Sequence, residues 1–469
     1  MKNSLYLNLV ICLIIALANP LKGQNKYQSI TSGVSWFDDK GLTVSAHGAC
    51  IVKESNRYYL FGEKHLDNSN AFAGVNCYSS TDLCNWKNEG IALAVQDSGR
   101  LGENRVGERP KVMKCPKTGE YIMYLHTDNS AYKDQCVGYA TSKNITGPYK
   151  FKGAILFNGN PIKKWDMGTF QDTDGKGYIL IHGGEIYQLS DDYKSVVSQV
   201  NKNMTAGFES PTLFKKGKTY YLLGSHLTSW ERNDNYYYTA TSLNGTWTAR
   251  GIFAPAGTLT WNSQSTFVLP IAGKSDTTYM YMGDRWSFPL QASAATYVWQ
   301  PLTISDTTIS LATYQENWSV DLKSGIATIK NLKGKTFEFT DTKAINYTGK
   351  WADKMSDSLK MFASDTKDAS FKIKFKGSKI SLYSTFIPDG GYAKVTLFDK
   401  NGKILHTAIV DMYCKYAVAS LAYCSSMLKK GEYTLNVTVM GEHSTWSDKR
   451  KSNYGSIGNF VSIKKIVID

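Results

Sequence analysis

Five polar side chains stand just before short apolar runs at widely separated points of the chain. They are His47 in SAHGACIV, Glu108 in VGERPKVM, Asp166 in KWDMGTFQDTDGKGY, Glu209 in GFESPTLF and Gln264 in TWNSQSTFVLP. Any one of them alone is typical of a surface turn. Turns have no reason, however, to place a polar group at the same phase of five similar segments. We therefore expect these five side chains to converge on one site.

Glu209 and Asp166 bring acid–base chemistry to such a site. Two carboxyl groups that face each other across a sugar are the general equipment of glycosidases, in which one protonates the leaving oxygen and another group activates water. Partial burial and a neighbouring carboxylate both raise the pKa of a carboxyl group toward the working pH. We predict that Glu209 is the acid, and that Asp166 lies beside it and tunes its protonation and orientation.

The segments that must position these residues repeat. RYYLFGE, EYIMYLH, GYILIHG, TYYLLGS and TYMYMGD are each typical of a buried strand, each is followed by a more polar strand, and long amphipathic helix patterns are missing. Five such pairs, roughly 40 to 60 residues apart, predict an all-β chain with a five-bladed β-propeller of four strands per blade over residues 25–320. A solenoid is the competing architecture. In a propeller the starts of the innermost strands meet around one axis, which explains the shared phase of the polar residues.

The order of six motifs resembles glycoside hydrolase family 43. They are YYLFGE, YSSTDLCNW, ERPKV, WDMGTFQDTDGKGY, FESPTLF and YYLLGSHLTSW, and the resemblance covers about residues 30–318. Within the family, AHGACIV, ERPKV, SHLTSW and NSQSTFV resemble the exo-β-1,3-galactanases (galactan 1,3-β-galactosidases). The resemblance implies a five-bladed, inverting enzyme that releases galactose from the β-1,3-galactan backbone of arabinogalactan. An arabinofuranosidase or xylosidase of the same fold is the alternative enzyme, and a catalytically inactive propeller that binds glycans is the alternative without catalysis.

One departure from the family concerns the base. Most members carry a general-base aspartate on the first inner strand, where this chain has SAHGA and no acid. In the galactanase subgroup the resemblance assigns that duty to a glutamine acting through its imidic-acid tautomer, together with a further glutamate, and these positions match Gln264 and Glu108. Glu108 as the actual base is the simpler chemistry, because a carboxylate needs no tautomer to accept a proton. Both assignments remain open at this point.

The same resemblance implies further side chains that bind the sugar. Glu63 and Tyr132 are expected to bind hydroxyl groups, and Thr228 to lie beside the acid. Trp230 and Trp286 are expected either to offer an apolar ring face to galactose or to pack in the core. His47 is expected either on the propeller axis, beside a water or a structural calcium or sodium ion, or as a hydrogen-bonded core residue. No other cofactor is implied.

Beyond Trp318 the pattern changes to strands that alternate apolar and polar residues. We predict a linker over residues 321–339 and an accessory β-sandwich over residues 340–469, which resembles galactose-binding-like modules. It either binds glycans or caps the propeller. Stacking candidates for a bound glycan are Trp446, Tyr392 and Tyr413.

The two ends of the chain differ in character. Residues 1–24 are typical of a secretory signal peptide, so the protein is expected to be exported to a periplasm or beyond the cell, without a membrane span and as a monomer. Of the formal net charge of +14, residues 321–469 hold +10, from 24 Lys and Arg against 14 Asp and Glu. The lysines are scattered, without arginine clusters, which argues against a nucleic-acid partner. Seven cysteines follow the signal, so either they are buried thiols or one or two disulfides leave at least one thiol unpaired.

Overall fold

The computed structural model describes residues 26–202, 204–205, 207–448 and 451–469. The predicted signal peptide therefore lies outside the described residues. Strands and turns make up this part of the chain, with two one-turn α-helical elements, α1 (Leu259–Asn262) and α2 (Gln291–Ala294), and two single turns of 3-10 helix, Gly99–Leu101 and His182–Gly184. The prediction of an all-β chain is confirmed. Among the described residues, the helices are too short and too polar to cross a bilayer.

Five sheets follow one another along the first two thirds of the chain, and all their strand pairs are antiparallel except one short parallel pair in the third sheet. Each is a meander that starts from the strand beside one of the polar residues singled out above. The third sheet gains two short outer strands, and the fifth has three strands where four were predicted. Strand β1 (Ile30–Thr31) precedes these sheets; the first sheet then consists of β2 (His47–Glu54), β3 (Arg57–Glu63), β4 (Val75–Ser80) and β5 (Lys87–Leu93), and the second of β6 (Arg105–Lys114), β7 (Tyr121–Asn129), β8 (Cys136–Ser142) and β9 (Lys150–Ala154). The third sheet consists of β10 (Leu156–Phe157), β11 (Asn160–Pro161), β12 (Met167–Gln171), β13 (Gly177–Ile181), β14 (Glu185–Leu189) and β15 (Val196–Asn201). The fourth consists of β16 (Glu209–Lys216), β17 (Thr219–Ser225), β18 (Tyr236–Ala240) and β19 (Thr248–Ile252), and the fifth of β20 (Gln264–Ala272), β21 (Thr277–Arg285) and β22 (Thr296–Pro301).

The first strands of the five sheets lie against one another. Strand β2 contacts β6, β6 contacts β12, β12 contacts β16, β16 contacts β20, and β20 returns to contact β2. Within the described residues no strand pair joins one of these sheets to the next, so side-chain packing and single backbone hydrogen bonds, such as that from the Phe72 N–H to the Arg105 carbonyl (2.7 Å), hold them together. The starts of the five strands therefore lie close together.

A β-bulge near the start of most first strands explains why the polar residues share a phase. The strand register shifts directly after His47, Glu108 and Glu209, and one residue after Gln264. A bulge bends its strand and turns a side chain away from the regular alternation. The residue that follows each of the first three is in the left-handed region, with φ of 61°, 51° and 55°: Gly48, Arg109 and Ser210.

The remaining third of the chain forms a second all-β unit. A four-stranded sheet (β27-β40-β32-β35) and a five-stranded sheet (β28-β31-β36-β33-β34) share one hydrophobic core. The alternation in β31 explains this: Phe371, Ile373 and Phe375 are buried, and the lysines between them are exposed. The strands outside the first five sheets are β23 (Thr303–Ser305), β24 (Thr308–Ser310), β25 (Asn317–Asp321), β26 (Ile326–Ile329), β27 (Lys335–Glu338), β28 (Ile345–Thr348), β29 (Ala352–Ser356), β30 (Leu359–Ser364), β31 (Ser370–Gly377), β32 (Ile380–Phe386), β33 (Tyr392–Asp399), β34 (Ile404–Asp411), β35 (Val418–Cys424), β36 (Gly431–Val439), β37 (Thr445–Ser447), β38 (Asn453–Gly455), β39 (Val461–Ile463) and β40 (Lys465–Ile468).

Two strands lie in the segment that was predicted as a linker. Strand β26 pairs with β25, which also pairs with β1, and β27 joins the four-stranded sheet of the second unit. Residues 321–339 are therefore divided between the two units and do not form a free connection. The seven cysteines are all free thiols, and six of them are buried.

The second unit packs against the first through buried polar contacts. The Tyr413 hydroxyl donates to Glu231 Oε2 (2.7 Å), and Ser287 Oγ donates to Asp411 Oδ2 (2.9 Å). Tyr392 donates to the Ser287 carbonyl (3.1 Å). Tyr392 and Tyr413 are 0% and 4% exposed, so neither of these two stacking candidates offers a face to a glycan.

Candidate active site

A cavity of about 860 Å³ opens where the five first strands begin. Four of the polar residues singled out in the sequence line it: Glu108, Asp166, Glu209 and Gln264. The fifth, His47, is not among the lining residues. Its ring is 1% exposed, stacks on Tyr297 at 4.3 Å and places Nδ1 3.2 Å from Asp284 Oδ1, as in a hydrogen-bonded core histidine.

Arg109 lies at the centre of the site and was missed in the sequence, although it stands in the ERPKV motif. Its side chain donates from Nε to Asp166 Oδ1 (2.5 Å) and from Nη2 to Gln264 Oε1 (2.7 Å), and its backbone N–H donates to Glu63 Oε1 (2.8 Å). The guanidinium also stands 5.8 Å from the ring centre of Trp286. Arg109 is only 5% exposed, and it thus links its own sheet to residues of three other sheets. The sequence signal for it was an arginine beside a glutamate at the edge of an apolar strand.

Asp166 is held as a carboxylate against the backbone of the residue that follows Glu209. Burial would raise the pKa of Asp166, but the charge of Arg109 and a hydrogen bond from the Ser210 backbone N–H (2.7 Å) lower it overall. Ser210 is the residue after Glu209, the first residue of β16. Asp166 therefore stays ionised and fixes the backbone on which Glu209 stands.

Gln264 has its amide orientation dictated by its partners. Oε1 accepts from Arg109 Nη2 (2.7 Å) and from Trp286 Nε1 (2.9 Å), while Nε2 donates to Ser225 Oγ (2.9 Å). Two N–H donors can only face the oxygen, so the opposite assignment of the amide is excluded. Gln264 therefore presents an oxygen in contact with positive charge, and this oxygen already has two donors.

The turn before Gln264 is left-handed. All four residues of α1 have φ between 52° and 58°, a conformation that costs roughly 1 to 2 kcal/mol per residue for L-amino acids. Arg285 compensates part of this cost by donating to the carbonyls of Asn262 and Trp261, each at 3.1 Å. The strained turn delivers Gln264 to the start of β20, as is common near functional sites.

Glu108 is held by two donors at the cavity wall. Its Oε1 accepts from the Tyr132 hydroxyl (2.7 Å), and its Oε2 lies 3.0 Å from His126 Nδ1. Burial would lower the pKa of His126, but its hydrogen bonds to Asp128 and Glu108 raise it to about 9. His126 is therefore an imidazolium at neutral pH and donates to both carboxylates. About one fifth of the Glu108 side chain remains exposed to the cavity.

Glu63 carries a proton at neutral pH. Burial and the charge of Glu108 raise its pKa to about 8, although the hydrogen bond from the Arg109 N–H opposes this. Burial lowers the pKa of the neighbouring His65 to about 3, so that ring is neutral. A protonated carboxyl that lines the cavity can donate a hydrogen bond to a sugar oxygen.

The other predicted sugar-binding residues fall into two groups. Tyr132, Trp230 and Trp286 line the cavity. Thr228 is not among the lining residues, because its Oγ1 donates to the Glu231 carbonyl (2.6 Å) within its own loop. No group of three or more His, Cys, Asp or Glu side chains that could hold a metal ion occurs in the described ranges.

Comparison with known proteins gives one consistent family. A model described as "Glycosyl hydrolases family 43" matches residues 42–251. The structure of an exo-β-1,3-galactanase from Phanerochaete chrysosporium with galactose is similar over 94% of this chain and 100% of its own, with a TM-score of 0.71 and 28% identity. The same enzyme, as a variant, has been solved with β-1,3-galactotriose, at a TM-score of 0.72 and 27% identity over 95% of this chain and 100% of its own.

Two further relatives are similar to a smaller share of the chain. A Bifidobacterium bifidum protein provisionally named an exo-β-1,3-galactanase is 39% identical, with a TM-score of 0.57 over 60% of this chain and 96% of its own. The extracellular endo-α-(1→5)-L-arabinanase 2 of Bacillus subtilis is 23% identical over 227 residues, which are 43% of this chain and 45% of the arabinanase. The chain thus spans less than half the length of that curated relative. These matches show that the chain belongs to glycosyl hydrolase family 43.

Proposed function

We propose that the protein is an exo-acting β-1,3-galactosidase that releases galactose from the ends of β-1,3-galactan chains, with inversion at the anomeric carbon. One observation carries the proposal: Glu209, Asp166, Gln264 and Glu108 line a single cavity, in which Arg109 hydrogen-bonds two of them, Asp166 and Gln264. The relatives solved with galactose and β-1,3-galactotriose support galactan as the polymer. The five packed sheets fit a five-bladed propeller.

Glu209 is the acid in this proposal. Its proton passes to the glycosidic oxygen as the bond between that oxygen and the anomeric carbon breaks, and a water molecule attacks the same carbon from the opposite face. Asp166 remains ionised because Arg109 and the Ser210 N–H stabilise its charge, so it favours the protonated form of the neighbouring Glu209 before the reaction.

Glu108 accepts the proton of the attacking water, and Gln264 positions that water. The Gln264 oxygen already accepts two N–H bonds, whereas each oxygen of a carboxylate offers two acceptor sites and the Glu108 oxygens have one donor each. The alternative is the reverse assignment, in which Gln264 accepts the proton through its imidic-acid tautomer. The Gln264→Glu variant discussed below distinguishes the two.

We further propose that the protein acts outside the cytoplasm. The curated Bacillus subtilis relative is extracellular, and the leading segment has the composition of a secretory signal. Residues 25–320 would form the catalytic propeller and residues 340–469 an accessory β-sandwich.

Incubation with a reduced β-1,3-galactotriose tests the activity. We expect galactose as the first product, with the α-anomer appearing first in the proton NMR spectrum. Arabinan and xylan oligosaccharides serve as parallel substrates. Release of arabinose or xylose without galactose would replace the proposed substrate, the β-anomer as first product would overturn inversion, and binding of galactotriose without any turnover would favour the non-catalytic alternative.

A further inference from the structure

One wall of the cavity comes from the second unit. Trp446, Ser447 and Asp448 line it, together with residues of the five sheets. They belong to or follow β37, which is attached to the first unit by a hydrogen bond from the Thr445 N–H to the Phe288 carbonyl (3.0 Å). This wall is therefore built across the contact between the two units.

The wall is aromatic. The ring of Trp230 stacks on Phe288 at 4.8 Å and 20°, and the ring of Trp446 meets Trp230 at 6.5 Å and 62°. Trp446 is in turn stacked on Tyr454 at 5.8 Å. Three distant chain segments thus contribute one apolar surface, of the kind that packs against the C–H face of a sugar ring.

Fixed polar groups border this aromatic wall. The Asp448 carboxylate accepts from the Ser452 N–H (3.0 Å) and the Tyr454 hydroxyl (3.2 Å), which holds it in place as an acceptor. Gln291 lines the cavity and is 2% exposed; its Oε1 accepts from the Ser287 N–H (2.8 Å), while its Nε2 has no hydrogen-bond partner among the described residues. A buried amide donor without a partner is costly, at about 1 to 3 kcal/mol, and a ligand oxygen would remove that cost.

The wall adjoins the catalytic residues without containing any of them. Trp286 donates to Gln264 (2.9 Å), and Phe288, two residues further along the chain, is the residue that β37 binds. The terminal galactose must occupy the end of the cavity that holds Glu209 and Gln264. The aromatic end is then the place for the sugar to which that galactose is linked.

We infer that the second unit forms the binding site for the leaving-group sugar, through Trp446 and Asp448, and is therefore part of the active site. This inference rests on the proposed hydrolysis of β-1,3-galactan. The contact between the units also positions Trp230, which meets Trp446 in the wall. Glu231, the residue after Trp230, accepts a hydrogen bond from Tyr413 of the second unit (2.7 Å). Deletion of residues 340–469 would therefore remove this wall of the active site together with the rest of the accessory β-sandwich.

Trp446→Ala in the full chain tests the inference with two substrates. β-1,3-Galactotriose places a sugar in the leaving-group site, whereas β-galactosyl fluoride has a single atom as its leaving group. Stacking beyond area burial contributes about 0.5 to 1.5 kcal/mol, so we expect kcat/KM for galactotriose to fall up to about tenfold and kcat/KM for the fluoride to change by less than about twofold. Asp448→Asn, which keeps the size of the side chain, should shift the same ratio in the same direction.

The control is Trp351→Ala, which removes a half-buried tryptophan of the second unit that does not line the cavity. It should leave the ratio of the two kcat/KM values unchanged, and thermal unfolding should show all variants folded at the assay temperature. Equal losses on both substrates for Trp446→Ala and Asp448→Asn, or no loss on galactotriose, would overturn the inference while the wild-type activity stands. A wild-type protein that releases no galactose from galactotriose would instead refute the proposed function.

Discussion

Arg109→Lys is the most informative single change at the site. The guanidinium bonds Asp166 (2.5 Å) and Gln264 (2.7 Å) at the same time, while its backbone binds Glu63. An ammonium group keeps the charge but is a point donor on a flexible stem and cannot reproduce the planar fork. At least one of the two side-chain bonds is therefore lost.

The magnitude follows from the kind of bond that is lost. A hydrogen bond to a charged group contributes about 1.5 to 3 kcal/mol, and each 1.36 kcal/mol is a factor of ten in rate. We expect kcat/KM for β-1,3-galactotriose to fall roughly 10- to 100-fold. Because the charge beside Asp166 is kept, the larger destabilisation that follows removal of a buried charged partner, about 3 to 5 kcal/mol, should not appear.

The assay is steady-state galactose release together with thermal unfolding of each variant. Arg105→Lys is the matched control, since Arg105 lies on the same strand β6 and pairs with the partly exposed Asp134 (2.6 Å) away from the cavity. It should keep the wild-type kcat/KM. Wild-type activity in Arg109→Lys would refute the idea that the guanidinium organises the site, and an equal loss in Arg105→Lys would reduce the effect to general destabilisation.

Three further variants address the carboxyl groups and the amide. Glu209→Gln should abolish hydrolysis of galactotriose while calorimetry still detects binding, and substantial remaining turnover would remove Glu209 from the role of acid. Gln264→Glu keeps an acceptor for Arg109 and Trp286; galactose release should persist if Gln264 accepts a proton, whereas an inactive, folded variant supports positioning. Glu63 has a pKa of about 8 in the folded protein against an ordinary 4.5, so its folded state retains a proton that the unfolded state loses. The free energy of unfolding should therefore fall by up to about 1.4 kcal/mol per pH unit between pH 4.5 and 8. Glu63→Gln should flatten that slope in denaturant titrations, and an unchanged slope would contradict the protonated state of Glu63.

The β-bulges explain why Arg109 was not predicted from the sequence as a residue of the site. In a regular strand, neighbouring side chains point to opposite faces, so Glu108 and Arg109 would not both be expected to reach the site. The shift of register after Glu108 and the positive φ of Arg109 break that alternation. No local pattern in ERPKV announces a bulge.

His47 and Thr228 show that a position in the sequence equivalent to that of a site residue does not by itself bring a side chain to the cavity. His47 begins its strand as predicted, but the end of β21 presents Asp284 within 3.2 Å, and the ring is drawn into the core. Thr228 lies in a loop, and its hydroxyl donates a hydrogen bond to the Glu231 carbonyl of the same loop. Both outcomes depend on neighbours far away in the sequence or on loop geometry.

The sequence by itself determined the all-β architecture, the repeated sheets and the phase of the polar residues, because strand periodicity and turn residues are local properties. It therefore identified Glu108, Asp166, Glu209 and Gln264 as a group. The tertiary structure alone decided which donors surround them and that Trp446, from the second unit, joins their cavity. Such contacts depend on bulges and on the docking of whole sheets, which arise from packing between residues far apart in the chain.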